Sequence, residues 1–119
     1  MKNLPLRIHL AATWRDRLSG LHAYPVLPAN FGLWLLPCRA IHTIGLSYPI
    51  DAVFLDPDHA ITTRFERLAP YRYAFCMSAR SVIELPGGYC AEHPGYQDHI
   101  RRALCALGVS LPGAGEGTE

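Results

Sequence analysis

The chain has 119 residues, of which 50% are hydrophobic and 18% are charged, and its formal net charge is +1. This length predicts one hydrophobic core, and this composition excludes the weakly hydrophobic, highly charged chains that stay disordered. The arginines are scattered among acidic residues and form no basic stripe, so nucleic acid is not expected as a partner.

The first part of the chain predicts two strands with a short helix between them. Apolar and polar side chains alternate over residues 6–12, which is the period-two pattern of a half-buried strand. Thr13 can cap a helix over residues 14–21, where apolar side chains recur at helical spacing. Two prolines place residues 22–30 in a loop, and the apolar run 31–36 then predicts a buried strand.

The middle of the chain predicts extended segments separated by turns. Residues 39–46 and 50–55 are rich in Ile, Val and Phe, and they flank a turn at residues 47–49. Asp56-Pro57-Asp58-His59 predicts a tight turn, because Pro favours its second position and Asp bonds its own backbone. A returning strand is expected over residues 60–68.

The last part of the chain predicts one more strand and a C-terminal helix. Residues 69–79 are interpreted as a loop and residues 81–85 as a strand, which Pro86-Gly87-Gly88 ends. Helical spacing predicts a helix over residues 96–107, and the glycine that follows would end it. We expect one globular domain over residues 1–108 and a flexible, glycine-containing tail over residues 109–119.

Four segments of the chain occur in an order and spacing found in a known family: residues 12–21, 38–46, 49–56 and 83–88. Together they resemble the landmarks of the uncharacterised DUF192 family over most of residues 6–100. The resemblance implies a mainly β (α+β) fold, a compact β-barrel or sandwich with a short helix after the first strand. The C-terminal helix is added by this chain, and no activity comes with the resemblance.

Two positions depart from the pattern of that family. His22 stands where members commonly have Met. Residues 93–98 stand where members commonly have a strand that contains Gly-Asp.

The N-terminal region and the cysteines indicate the compartment. Lys2, Arg7 and Arg15 interrupt the apolar segment that a signal peptide needs. The longest apolar stretch is far shorter than the roughly 20 residues of a membrane span. No Cys-x-x-Cys pair occurs, so we expect a cytoplasmic protein whose cysteines are thiols: Cys38, Cys76, Cys90 and Cys105.

A His-Asp pair is the clearest candidate for chemistry. If the segments on either side of residues 47–49 form a hairpin, His42 and Asp51 could face each other across it. A hydrolase-like triad would then have Cys38 as nucleophile, His42 as base and Asp51 as the group that orients the base. In the alternative interpretation, Asp51 anchors a turn through backbone amides and His42 is a hydrogen-bonded imidazole without a catalytic role.

No ligand spacing in the sequence predicts a metal ion or a cofactor. His22, Cys38, His42 and Asp51 are acceptable zinc ligands by type, but they lack the close spacing that zinc sites show. Pro86-Gly87-Gly88 has neither the ending of a phosphate loop nor the glycine spacing of a Rossmann loop, which favours a simple turn.

Two further features allow more than one interpretation. Glu84 lies in the last predicted strand and could point into a pocket as an acid or base, or be solvated. Tyr71, Tyr73 and Phe75 have period-two spacing, which suits either stacking on bases or sugars or packing of one strand face on the core.

The function most consistent with these residues is a non-enzymatic domain that binds a peptide, a protein or a small ligand. Its binding site is expected near His42, Thr43, Asp51 and Glu84. The alternatives are a hydrolase-like enzyme that uses His42, Asp51 and Cys38, and a structural adaptor that forms a homodimer. The chain would be a monomer or a homodimer, without a cofactor.

Overall fold

The computed structural model describes residues 4–11, 24–25 and 27–111. The structure is mainly β, as the sequence patterns predict. No helix within these ranges is long and apolar enough to cross a membrane. The described residues form seven strands and two helices, namely β1 Arg7–Ala11, β2 Phe31–Leu35, β3 Ala40–His42, β4 Ile50–Leu55, β5 Ile61–Leu68, β6 Tyr73–Phe75, β7 Ser81–Pro86, α1 Tyr89–Glu92 and α2 Tyr96–Ala106.

The strands form two sheets. Five of them make a sheet in the order β1-β2-β7-β4-β5, and β3 pairs with β6 in a two-stranded ribbon. The β1–β2 pair is parallel, whereas the other pairs are antiparallel. Over the described residues the larger sheet is open, because β1 and β5 lie at its two edges and do not pair with each other.

The five-stranded sheet has an apolar core on each face. The helix-side core lies against α2 and includes Val53, Leu55 and Ile100. The ribbon-side core lies against the β3–β6 ribbon and includes Phe54 and Ala74. Burial on both faces explains why β4 reads as a nearly continuous apolar run, since no residue along it meets solvent.

Most predicted elements are confirmed to within one or two residues. These are the strands β1, β2, β4, β5 and β7 and the helix α2. The predicted strand over residues 39–46 is shorter than expected, since β3 ends at His42. The helix predicted over residues 14–21 lies outside the described residues.

One prediction about the second half of the chain is wrong. The segment 69–79 is not wholly a loop, because it contains β6, which pairs with β3. The short helix α1, which begins at Tyr89, was not predicted from the sequence. Val109 and Leu111, which fall in the expected tail, pack against the helix-side core, and residues 112–119 lie outside the described residues.

Candidate functional site

Asp51 is a buried carboxylate whose oxygens are saturated by backbone amides. It lies in β4, at the centre of the sheet, with no exposed surface. Its Oδ1 accepts hydrogen bonds from the amides of Arg67 and Gly88, and its Oδ2 accepts one from the amide of Cys90, each at 2.8 Å. Such bonds stabilise the charged form and offset the cost of burying it. Asp51 therefore ties the end of β5 and the start of α1 to the centre of the sheet.

The glycine turn after β7 is shaped by this contact. Gly88 has a φ of 89°, a left-handed conformation that favours glycine, and in it the amide reaches Asp51. A Cβ on Gly87 would lie 2.8 Å from the Pro49 carbonyl oxygen, so only glycine fits there. The turn does bind an anionic group through its amides, and that group is a side chain of the same protein.

Cys90 is part of the same cluster, and its surroundings disfavour the reactive thiolate form. Its pKa is raised to about 12, first by burial, then by the negative charge of Asp51 and by its side-chain hydrogen bond to Asp51. A thiol with this pKa is protonated at neutral pH, and the thiolate is the nucleophilic form. Cys90 therefore serves as a small apolar residue of the helix-side core.

Thr43 has a structural role in the β3–β6 region. Its buried hydroxyl donates a hydrogen bond to the Ala69 carbonyl at 2.6 Å and accepts one from the Arg72 amide at 2.8 Å. These bonds hold the segment that leads into β6. Thr43 is completely buried, so a ligand would have to displace that segment to reach it.

The predicted His42–Asp51 pair is wrong. His42 lies in β3, which pairs with β6, whereas Asp51 lies in β4, which pairs with β5 and β7. The Nδ1 atom of His42 accepts a hydrogen bond from the Ile44 amide at 3.3 Å. The thiol of Cys38 donates to the Ala40 carbonyl oxygen at 3.1 Å. The hydrolase hypothesis thus loses the contact that would orient its base, whereas the alternative role of Asp51 as a turn anchor is confirmed.

Glu84 is a second buried carboxyl, and its surroundings differ from those of Asp51. It lies in β7 opposite Leu33 on one side and Ala52 on the other, and it is 5% exposed. Its neighbours along the strand, Ile83 and Leu85, belong to the helix-side core, so alternation turns Glu84 toward the ribbon-side core. Burial raises its pKa to about 8, and no hydrogen bond from the described residues opposes that shift.

A cleft borders the ribbon-side core near Glu84. Its volume is about 340 Å³, and it is lined mainly by apolar groups: Pro25, Leu27, Tyr48, Pro49, Pro86 and Gly87. Pro86 lies two residues beyond Glu84 in β7, and therefore on the same face of the sheet. The pKa of Tyr48 is raised by burial and also by the nearby Glu84 charge. Glu84 does not line the cleft itself, but it shares a sheet face with the lining residue Pro86, and its charge acts on the lining residue Tyr48.

Two other buried polar groups were not anticipated from the sequence. Trp34 Nε1 and His59 Nδ1 have no hydrogen-bond partner among the described residues, and the two rings meet edge to face with centroids 5.5 Å apart. His59 has a φ of 67°, in a turn whose Asp56 side chain accepts hydrogen bonds from the amides of Asp58 and Ala60. The sequence signals this turn, but it carries no sign that the turn directs His59 onto Trp34.

Two histidine side chains, His93 and His99, contact the ring and the hydroxyl of Tyr89. The His93 ring stacks on the Tyr89 ring with centroids 4.0 Å apart, and the Tyr89 hydroxyl lies 3.0 Å from His99 Nδ1. Within the described ranges, no three side chains of the His, Cys, Asp and Glu types group as a metal site would require. His22, one of the four ligand types considered from the sequence, lies outside those ranges.

Comparison with protein families identifies the chain. The model of the DUF192 family, described as an uncharacterized ACR, matches residues 1–96. The chain belongs to the DUF192 family. The match ends at the first residue of α2, so this DUF192 chain carries most of that helix beyond the matched range. No curated protein matches the sequence.

Two solved structures resemble this DUF192 chain. A protein of unknown function from Novosphingobium aromaticivorans DSM 12444 is 22% identical, with a TM-score of 0.66 over 73% of this chain and 67% of that chain. A candidate transcription regulator from Sinorhizobium meliloti 1021 is 20% identical, with a TM-score of 0.64 over 89% of this chain and 77% of that chain. At these identities the likeness shows the fold alone.

Proposed function

We propose that this DUF192 chain is a non-enzymatic binding domain whose ligand site centres on Glu84. The observation that carries the proposal is a carboxyl in the apolar core whose pKa is raised to about 8 by burial and to which no hydrogen bond from the described residues is made. Removal from water disfavours the charged form of such a group. A ligand group that hydrogen-bonds to this carboxyl would offset part of that lost solvation on binding.

The chemistry of the cleft indicates the class of ligand. With a pKa of about 8, Glu84 is mostly protonated at neutral pH, so it can both donate and accept a hydrogen bond. The proline, leucine and tyrosine side chains that line the cleft favour a ligand with an apolar body. We therefore propose a small, largely apolar ligand that carries a carboxamide or a similar donor–acceptor pair.

The other predicted binding residues enter the proposal in different ways. Thr43 and Asp51 support the framework, because they hold the backbone on either side of the sheet. His42 is exposed on β3 and remains a proposed contact for a peptide or protein. No observation favours catalysis over binding, so the hydrolase hypothesis is not carried further.

The compartment and the type of partner that we propose are those expected from the sequence. Thiols at all four cysteines suit the cytoplasm. A net charge of +1 without a basic stripe favours a small molecule, a peptide or a protein over nucleic acid. The shared core between the five-stranded sheet and the ribbon supports an open sandwich as the finer description of the fold.

The test is a ligand screen read at Glu84. Carboxamide and amine fragments are added to uniformly labelled protein, and carboxyl and backbone chemical shifts are followed by NMR. We expect carboxamides to shift the signals of Glu84, Tyr48 and Pro86 and to bind Glu84→Met at least about tenfold more weakly. The control, Glu92→Met, changes an exposed carboxylate on α1 and is expected to leave binding unchanged.

Two outcomes would contradict the proposal. One is a screen in which no fragment perturbs Glu84 or the cleft. The other is binding that persists unchanged in Glu84→Met.

A further inference from the structure

The β3–β6 ribbon carries an exposed apolar stripe, which consists of Tyr71, Tyr73, Phe75 and Met77. Their exposed fractions are 68%, 72%, 57% and 71%. Ala74, between the two central members, is buried in the ribbon-side core. The interpretation that these aromatic residues pack on the core is therefore wrong, because the alternation along β6 turns the small residue inward and the large ones outward. Contiguous apolar surface of this kind marks interaction sites.

The backbone of β6 has an open edge as well. The Cys76 amide donates to the Arg39 carbonyl, and the Thr43 amide donates to the Arg72 carbonyl, both at 2.9 Å. In an antiparallel pair, residues alternate between bonding toward the neighbouring strand and bonding away from it. The N–H and C=O groups of Tyr73 and Phe75 therefore point away from β3. Within the described part of the chain, β6 pairs with β3 alone, so nothing there uses these groups.

We propose that β6 forms a homodimer by antiparallel pairing with β6 of a second copy. An exposed strand edge is a template for another strand, and this one lacks the lysine or proline that commonly blocks such edges. One register uses the outward groups of both residues while keeping the pairing within β6. It sets Tyr73 opposite Phe75 of the second copy and Ala74 opposite Ala74 on a two-fold axis.

The side chains in this register are complementary. The dimer contains two cross-strand aromatic pairs of Tyr73 with Phe75, a favourable combination on a sheet face. Continued by one residue at each end, the register sets Arg72 opposite Cys76 of the second copy, so no like charges oppose each other. Self-complementarity and the absence of charge within β6 favour a second copy over a charged peptide.

The length of the paired edge sets the expected strength. Pairing along a three-residue strand covers the backbone edge and only the flanks of the outward side chains, which is well below the about 800 Å² per partner of a standard interface. We therefore expect a weak dimer that forms as the concentration is raised. This interface involves neither Glu84 nor the nearby cleft, so its test is independent of the test of the proposed ligand site.

Sedimentation velocity on the full chain over a concentration series tests the proposal. We expect the wild-type mass to rise from one chain to two, whereas Tyr73→Glu and Phe75→Lys each raise the dissociation constant at least about tenfold. Mixing the two variants in equal amounts should restore a dimer, because the register sets the two new charges opposite each other. This rescue is specific to the proposed register.

The controls separate dissociation from unfolding. Leu107→Lys changes an exposed apolar residue after α2 and should leave the dissociation constant unchanged. Far-UV circular dichroism and thermal midpoints near wild type show that the variants fold, and Phe75→Arg, which keeps the charge needed for the mixing experiment, replaces Phe75→Lys if the latter does not fold. The proposal is overturned by a wild-type chain that stays monomeric throughout, by a dimer that persists in both single variants, or by a mixture that does not associate.

Discussion

Asp51 and Glu84 lie on neighbouring central strands, both almost completely buried, yet their surroundings are opposite. On the helix side of the sheet, Asp51 receives hydrogen bonds from three backbone amides. On the ribbon side, Glu84 receives none from the described residues, and burial raises its pKa to about 8. The comparison indicates that the number of hydrogen-bond donors around a buried carboxyl determines whether its charged form is stabilised. Asp51 serves the fold, whereas Glu84 is the centre of the ligand site that we propose.

Asp51→Asn gives the largest expected effect on this comparison. The substitution removes the charge and turns one acceptor into an amide that faces backbone donors. We expect the free energy of unfolding in urea to fall by roughly 3–5 kcal/mol, since one partner of a buried charged network is lost. The matched control, Asp58→Asn in the exposed turn before β5, should change stability by no more than about 0.5 kcal/mol. Equal effects of the two variants would refute the anchoring role of Asp51.

Glu84→Gln should stabilise the protein at high pH, in contrast to Asp51→Asn, and the size of the gain depends on pH. The folded pKa of Glu84, about 8, lies above the ordinary value of 4.5, so folding holds a proton that the unfolded chain releases. Stability is therefore greatest below about pH 4.5 and is lost as the pH rises through 8, by about 3 kcal/mol between pH 5 and pH 8. Glu84→Gln should not show this decrease in stability with pH, because glutamine does not titrate.

The measurement for Glu84 is urea unfolding of the wild type and Glu84→Gln at pH 5, 6, 7 and 8. Taking the difference between the two proteins cancels the contribution of the histidines. Parallel stability curves for the wild type and the variant would show that Glu84 titrates normally and would weaken the contrast with Asp51.

Gly87→Ala should produce a smaller loss of stability at the turn that joins the two environments. The added Cβ would meet the Pro49 carbonyl oxygen at 2.8 Å, a backbone atom that cannot swing aside. We expect a loss of about 1–3 kcal/mol, measured by urea denaturation. The control is Gly95→Ala, where the nearest atom lies 3.9 Å away and little change is expected. If Gly87→Ala leaves the stability unchanged, the backbone near Pro49 must move at little cost to accommodate the added Cβ.

The smallest expected effect on stability belongs to a prediction about thiol chemistry, because the wild-type protein itself is measured. With a pKa of about 12, Cys90 should react with iodoacetamide at pH 7.5 on the order of 1,000-fold more slowly than the exposed Cys105, as followed by mass spectrometry. Cys76 should react readily, because a hydrogen bond with Thr62 lowers its pKa. In Asp51→Asn the labelling of Cys90 should accelerate as α1 loosens. Rapid labelling of Cys90 in the wild type would contradict the closed cluster around Asp51.

Much of the local structure could be predicted from the sequence, because it depends on neighbours along the chain. The apolar run of β4, the helical spacing of α2 and the turn at Asp56 each reflect local periodicity or side-chain chemistry. The role of Asp51 as a turn anchor was also among the predicted alternatives, since a buried carboxylate needs donors. Nothing local, however, indicated that the donors lie more than 30 residues away at Gly88 and Cys90.

The sequence by itself determined five of the strands, the turn at Asp56 and the C-terminal helix, because hydrophobic periodicity and turn residues act over a few positions. Only the tertiary structure decided which strands pair and which faces are covered. β3 pairs with β6 and not with β4, which separates His42 from Asp51. Side chains alternate between the two faces of β6, and the sequence does not say whether the face with Tyr73 or the face with Ala74 is turned inward. In the structure Ala74 packs in the ribbon-side core. Such choices depend on surfaces supplied by distant segments, and no local pattern encodes them.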